Sequence, residues 1–207
     1  MNEMLKAAAT EDPRHAFAEA AYRIIAKRGF ADTTLFEVAG EAGFSIGALT
    51  HYMKNKDELL LAAYNYVAAQ CASEISDETQ NHSGLEAVRR LLHWQIALDA
   101  QKMDYWTIQF IVWERARENA ELISVMREET LIWWARLESF LQKAKRDKEI
   151  SAKVNIKKAA KGATALLQGL GAIAVMSGHK TSLVRGDEII DDWIEITLKP
   201  TRPLLLV

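Results

Sequence analysis

Side chains able to do chemistry are thinly spread in this chain, and their placement narrows the options. Histidines stand at 15, 51, 82, 93 and 179, none with a nucleophile at a spacing that would form a catalytic relay. There is no glycine-rich phosphate loop and no metal-ligand spacing. These absences speak against an enzyme and against a bound metal or other cofactor. What remains is recognition chemistry. Between Ser45 and Tyr52, Gly47 and Ala48 are small enough to let a helix backbone approach the floor of a DNA major groove. Thr50, His51 and Tyr52 can carry hydrogen-bonding groups to phosphates or base edges. Thr34, Ser45 and Lys56 fall where helices are expected to begin, positions whose backbone N–H groups favour a phosphate. Farther along, Trp94, Met103, Trp106, Phe110, Trp113, Trp133 and Trp134 supply aromatic and flexible apolar surface. Asp104, Gln109 and Glu114 lie among them, and Met126 and Ile132 could add lining. Such a set suits a small-molecule pocket.

The elements that must position these groups are helical. Apolar residues recur at helical spacing almost throughout, and with 3 Pro and 10 Gly in the chain strand signals are scarce. A first helix is expected over about 13–28, with Phe17, Ala21, Ile24 and Ile25 on one face and Gly29 at its end. A short helix over 35–42 follows, where Thr34 and Glu37 have the spacing of a capping box. Its buried side would be Leu35, Val38, Ala39 and Ala42. Gly43 supplies the positive φ of a tight turn. Ser45 then caps a helix over 46–53 that buries Leu49 and Met53, with Phe44 in the turn, and leaves Ile46, Gly47, Ala48, Thr50, His51 and Tyr52 outside. Asn55, with Glu58 three residues on, starts the next helix. Longer helices are expected at about 56–79, 84–100, 103–116, 119–147, 153–177 and 186–198, with loops at 81–84 and 177–179.

The reading is therefore an all-α chain of about nine helices. A three-helix DNA-binding domain with a helix-turn-helix occupies 1–55, and a larger helical domain occupies 56–207. The 207 residues, 49% of them hydrophobic, are enough for both cores. One cysteine, Cys71, excludes a disulfide framework. The N-terminal Met1-Asn2-Glu3-Met4 lacks the pattern of a secretion signal. The most apolar stretch, Ala163 to Met176, is shorter than the roughly 20 residues that cross a bilayer. A cytoplasmic protein without a membrane partner is expected. Residues 1–60 hold seven basic and nine acidic side chains, a net charge of −2. Any grip on DNA must then come from a local face rather than from overall basicity.

The run from Thr33 to Asp57 resembles the TetR family, whose recognition region reads roughly Gly-Val-Ser-x-Gly-x-Leu-Tyr-x-His/Tyr-Phe-x-x-Lys. Gly43, Ser45, Gly47, Leu49, Tyr52 and Lys56 stand in register, and Arg28-Gly29-Phe30 and Thr33-Thr34 match upstream. The variant Gly47-Ala48-Leu49-Thr50-His51-Tyr52 is similar to the BetI-like branch. The chain departs from the pattern at four positions. Phe44 replaces a smaller Val and Met53 a Phe, both as packing changes. Thr50 stands where Tyr is common. Ile46 stands where Lys or Arg is frequent, and could touch a thymine methyl instead.

The resemblance implies a transcriptional repressor that leaves its operator when a small molecule enters the C-terminal part, with the aromatic residues named above as pocket lining. The BetI association with choline, together with aromatic walls and carboxylates, makes a quaternary ammonium one candidate effector. It also implies a homodimer built on the last two helices, where Leu166, Leu170, Ile173, Ile190, Trp193 and Ile194 supply apolar area. Two recognition helices related by a two-fold axis would read a palindromic operator of double-stranded DNA. The alternative is a helical adaptor that has lost DNA binding. The apolar tail 200–207 has no assigned role.

Overall fold

The computed structural model describes residues 12–96, 99–178 and 185–199. The N-terminal four residues, His179 and the tail 200–207, all of which entered the sequence analysis, lie outside the described residues. Among those described the chain is all α-helical. The order is α1 (Pro13–Arg28), α2 (Leu35–Glu41), α3 (Ile46–Tyr52), α4 (Lys56–Thr79), α5 (Gly84–Ile96), α6 (Ala100–Ala116), α7 (Ala120–Arg146), α8 (Ile156–Ser177) and α9 (Gly186–Trp193), which continues into a π-helical turn, Ile194–Leu198.

Local chemistry accounts for the short N-terminal elements. Asp12 caps α1, accepting from the Arg14 N–H, and Pro13 opens it with a φ already suited to a helix. Thr34 accepts from the Glu37 N–H at 3.2 Å while the Glu37 carboxylate accepts from the Thr34 N–H at 3.2 Å, so the capping box is complete. Ser45 accepts from the Ala48 N–H to start α3. Asn55 accepts from the Glu58 N–H to start α4. The Glu58 carboxylate reaches back one residue farther than a standard box, to the Lys54 N–H. Gly43, at φ +77, makes the turn between α2 and α3.

The chain packs as two units. One comprises the described residues up to Cys71 together with Thr107–Ile123, and the other Ala72–Trp106 with the described residues from Ser124 onward. This partition differs from the boundary expected near residue 55. The core of the first unit includes Phe17, Ala21, Ile25, Val38, Leu49, Met53, Leu59, Leu60, Tyr64 and Val67, with Ile108, Val112 and Leu122 from the later segment. Arg115 joins α6 to α4 inside this unit. Its guanidinium donates to both Asp57 carboxylate oxygens, at 2.9 and 3.2 Å, and the Asn119 amide adds a third bond.

The Arg115 hydrogen bond is the main cause that holds the Asp57 carboxyl below the ordinary carboxylate range, against a smaller opposing effect of burial. A lowered native value means the pair stabilises the fold above the unfolded value, near pH 4, and that this contribution disappears as pH falls through the lowered native value. Asp57→Asn is therefore expected to be less stable than the parent at neutral pH. The gap in Tm between the two should close as the solution is acidified below about pH 4. A gap independent of pH would show that the carboxylate charge is not what stabilises the contact.

In the second unit, α8 and α9 carry the longest-range ties. Asp191 on α9 accepts from Arg89 and from His93 Nε2 on α5, and Arg89 also approaches Glu195 at 3.9 Å. At 22 residues, with a mean hydropathy of 1.3 over its most apolar window, α8 is long and apolar enough to cross a bilayer. The apolar stretch Ala163–Met176 read from the sequence is the C-terminal part of this longer helix. One face of α8, carrying Ala159, Ala160, Ala163, Leu167, Leu170, Gly171 and Ala174, is buried within the chain. Against it, Gly171 receives the Trp106 indole so closely that a Cβ there would lie 2.5 Å from the ring.

Candidate DNA-binding and effector sites

The helix-turn-helix forms as expected, from α2, the Gly43 turn and α3. Leu49 and Met53 are buried and Phe44 is half-buried, its ring edge-on to Phe17 at 5.0 Å. That leaves Ser45, Ile46, Gly47, Thr50 and His51 exposed and Ala48 and Tyr52 half-buried. The outer surface of α3 is thus the set of small and hydrogen-bonding residues read from the sequence. Neighbouring groups hold it in shape. The Thr50 hydroxyl donates to the Gly47 carbonyl at 3.2 Å. The Tyr52 ring lies 6.0 Å from Phe17, is met edge-on by His51, and has the Arg14 guanidinium over its face at 5.5 Å.

Two expected phosphate contacts are placed differently from a simple outward reach. Thr34 is exposed, but its hydroxyl is shared with Glu37, whose N–H it accepts and whose carboxylate it donates to at 2.9 Å. Lys56 turns its ammonium to the Ala31 carbonyl at 2.9 Å and over the Phe30 ring at 4.8 Å. It fastens the start of α4 to the loop between α1 and α2, a role that its place in the motif did not reveal.

The expected effector residues fall in two groups. Phe110 and Trp113 belong to the first unit, their rings 5.4 Å apart and nearly perpendicular, with Trp113 exposed. Trp94, Met103, Trp106, Trp133 and Trp134 belong to the second. Trp106 is buried and donates its indole N–H to the Gln95 carbonyl at 3.3 Å. Trp133 and Trp134 both donate to the Thr164 hydroxyl, at 3.2 and 3.1 Å, and the Lys161 ammonium lies 4.8 Å from the Trp134 ring.

Trp94 faces a cation of the chain itself. The Lys102 ammonium sits 4.6 Å from its ring, with Asp99 and Glu74 as counter-charges, and Lys102 is only 7% exposed. Nothing in the periodicity of the sequence marks this lysine as buried. The only local signal for it was Asp99 three residues earlier, at helical spacing. A separate cavity of about 290 Å³ opens beside the start of α8, lined among others by Lys153, Lys158, Gly162, Trp193 and Thr197. None of the residues expected to bind an effector lines it, while Trp193, expected at the interface, does.

Of the expected interface residues, Ile190 and Ile194 are fully buried within the chain and Leu170 is 8% exposed. Within the single chain, Ile190 and Ile194 pack into its own core. Leu166 and Trp193 are half-buried and Ile173 is exposed. Ile196, read from the sequence as apolar area on the last helix, is 58% exposed, and Met176 at the end of α8 is 85% exposed.

Comparison with known proteins covers both parts of the chain. The family profile of bacterial regulatory proteins of the tetR family matches residues 18–63, and that of the BetI-type transcriptional repressor C-terminal domain matches residues 84–199. The HTH-type transcriptional regulator PksA of Bacillus subtilis (strain 168) is 27% identical over 199 residues, 93% of each chain. The HTH-type transcriptional regulator BetI of Brucella canis is 24% identical over 189 residues, covering 89% of this chain and 91% of that one. Among solved structures, a transcriptional regulator from Saccharomonospora viridis in complex with choline superposes with a TM-score of 0.78 at 20% identity, over 89% of this chain and 96% of that one. A TetR-family regulator from Rhodococcus sp. gives 0.76 at 22%, over 90% and 98%. At these identities the two structures establish the fold alone. The C-terminal profile by itself spans more than half of the 207 residues, and the N-terminal one lies over the helix-turn-helix just described. The chain belongs to the tetR family of bacterial transcriptional regulators, near its BetI-type branch, and is a DNA-binding regulator rather than an enzyme.

Proposed function

We propose that the protein is a cytoplasmic, homodimeric repressor that holds a palindromic operator with α3 and releases it when a small molecule binds the part beyond the helix-turn-helix. The observation that carries this reading is the outer face of α3. Gly47, Thr50 and His51 are exposed together on a helix whose inner side is locked by Leu49 and Met53. A face of this kind can enter a major groove and present hydrogen-bonding groups without steric obstruction. The apolar surface that remains on α8, α9 and the turn after it, at Leu166, Ile173, Met176, Trp193 and Ile196, supports a two-fold interface. Such an interface would pair two recognition helices on successive grooves.

Coupling would run along α4, which starts beside the recognition helix and is tied by Asp57 to Arg115 on α6. An effector that favours one arrangement of the dimer by about 1–3 kcal/mol would weaken operator affinity about 5- to 150-fold. A choline complex of a structural relative keeps a quaternary ammonium among the candidate effectors. Trp94 is a poor wall for one, because the Lys102 ammonium already lies over it.

The test is Thr50→Ala with His51→Ala. Each lost base contact is worth about 1–3 kcal/mol, so the double variant is expected to bind the operator at least about 100-fold more weakly in an anisotropy titration. Its helical content and dimer mass should not change, because both side chains are exposed. Unchanged affinity would remove α3 as the reading surface.

A further inference from the structure

We infer that this protein reads its operator through apolar contacts, with Phe36 as a second DNA-reading residue beside Ile46, and with far less help from ion pairing than a basic DNA-binding face would give. The inference rests on the helix-turn-helix being the DNA-binding element. Phe36, on α2, is 74% exposed, and Ile46, on α3, is 40% exposed. They are the large hydrophobic side chains that the motif leaves in solvent, while Val38, Ala39, Leu49 and Met53 fill its interior. A phenylalanine at that exposure contributes little to the core, and on the helix that precedes the recognition helix it is free to meet whatever α3 meets.

The charges of the same segment lead to the same conclusion. Between residues 12 and 60 there are six Lys and Arg. Four of them are engaged within the protein. Arg14 lies over the Tyr52 ring, Arg23 pairs with Glu19 and Glu41, Arg28 bonds Glu37 at 3.1 Å, and Lys56 donates to the Ala31 carbonyl. Arg28 is held by the carboxylate of the residue next to Phe36, so the surface around the exposed ring is neutralised rather than cationic. The apolar groups that DNA offers such a surface are the thymine methyl in the major groove and the edges of the deoxyribose rings. Ile46, at the first position of α3, suits the methyl, and the flat Phe36 ring suits a sugar or a second methyl. The operator should accordingly carry thymine at the positions these residues meet.

Counterion release reports on ionic contacts, and each phosphate neutralised by a cation adds about −0.9 to the slope of log K against log salt. Carboxylates neutralise Arg23 and Arg28, so at most Arg14, Lys27, Lys54 and Lys56 of each subunit could contribute, a ceiling of about −7. Reading through apolar contacts predicts a slope shallower than about −5, the low end for a face making six to ten phosphate contacts.

The experiment uses the full chain and an operator recovered by selecting bound fragments from genomic DNA. Parent, Phe36→Ala, Ile46→Ala and Phe36→Arg are titrated across a salt series, on this DNA and on the same DNA with thymines replaced by deoxyuridine. Three results are expected. Phe36→Ala weakens binding about 10-fold or more with the salt slope unchanged. Phe36→Arg makes the slope steeper by about one per subunit. Deoxyuridine weakens the parent about 4-fold per contacted methyl but leaves Ile46→Ala unaffected at the methyl it had touched. Unchanged Tm for the exposed-site variants verifies that folding is intact. If the parent binds the operator and Phe36→Ala binds it equally well, or if the parent slope is as steep as that of a basic face, the inference is overturned while the DNA-binding reading stands. If the parent selects no DNA at all, both fall.

Discussion

Replacing Phe17 by Ala is expected to destabilise the DNA-binding part by about 3–5 kcal/mol and to abolish operator binding. Phe17 has no accessible surface, meets Phe44 edge-on at 5.0 Å and lies 6.0 Å from Tyr52. It is thus the side chain of α1 against which both the turn and the recognition helix rest. Truncation removes the transfer energy of the ring and leaves a cavity that short, separately capped helices cannot collapse around without moving α3. Native domains are stable by only about 5–15 kcal/mol, so a loss of this size consumes much of the margin. Urea unfolding followed by far-ultraviolet circular dichroism would measure it. The contrast with Phe36 is instructive. Both are phenylalanines of one small motif, but one is 0% and the other 74% exposed. The Phe17 variant should lose the fold and hence the DNA, whereas the Phe36 variant should lose DNA affinity with its melting temperature intact. If Phe17→Ala unfolded at the parent's urea midpoint, the packing described for α1 and α3 would be wrong.

The second large effect is expected at Gly171. In the middle of α8 a glycine costs about 1 kcal/mol relative to alanine, so Gly171→Ala would stabilise an isolated helix. Here the added Cβ would lie 2.5–2.8 Å from three carbons of the Trp106 indole. That ring is buried and anchored by its N–H bond to the Gln95 carbonyl. Overpacking a core costs about 1–3 kcal/mol and occasionally more. The clash should therefore outweigh the gain in propensity, giving a net loss of about 1–2 kcal/mol for alanine and about 3 kcal/mol or more for leucine. The leucine variant should also shift Trp106 fluorescence as the indole leaves Gln95. A smaller residue at 106, as in Trp106→Leu, should recover part of the loss in a double-mutant cycle. Additive losses would mean that the two positions do not press on one another.

Legibility from sequence followed the range of the interactions. The helices around the motif were readable because their signals are local. Thr34 with Glu37, Ser45 and Asn55 with Glu58 each act within a few residues, and each cap appears in the structure. Gly43 was readable for the same reason, since a turn that tight demands a left-handed residue. The outer face of α3 followed from periodicity alone.

Contacts that join distant residues could not be read. Trp106 was legible as an aromatic at helical spacing, but not as the partner of a glycine 65 positions on. The Glu149 carboxylate accepts the Leu85 N–H at 2.7 Å, a helix cap supplied from 64 residues away, which no local pattern signals. Ile190 and Ile194 were apolar and correctly placed on a helix, yet whether they face their own core or a second subunit depends on what α5 brings to α9, notably Arg89 and His93 on Asp191. The π-helical turn after Trp193 was read as ordinary helix for the same reason, because tertiary context and not propensity selects it.

The most direct measurement is an anisotropy titration of the purified protein against DNA flanking its own gene, and against fragments selected from the genome, with random DNA as competitor. The account predicts saturable binding to at least one such sequence, at least about 10³-fold tighter than to random DNA at the same salt, and lost in Thr50→Ala with His51→Ala. Binding that random DNA competes away equally, or affinity that survives removal of both α3 side chains, would contradict it.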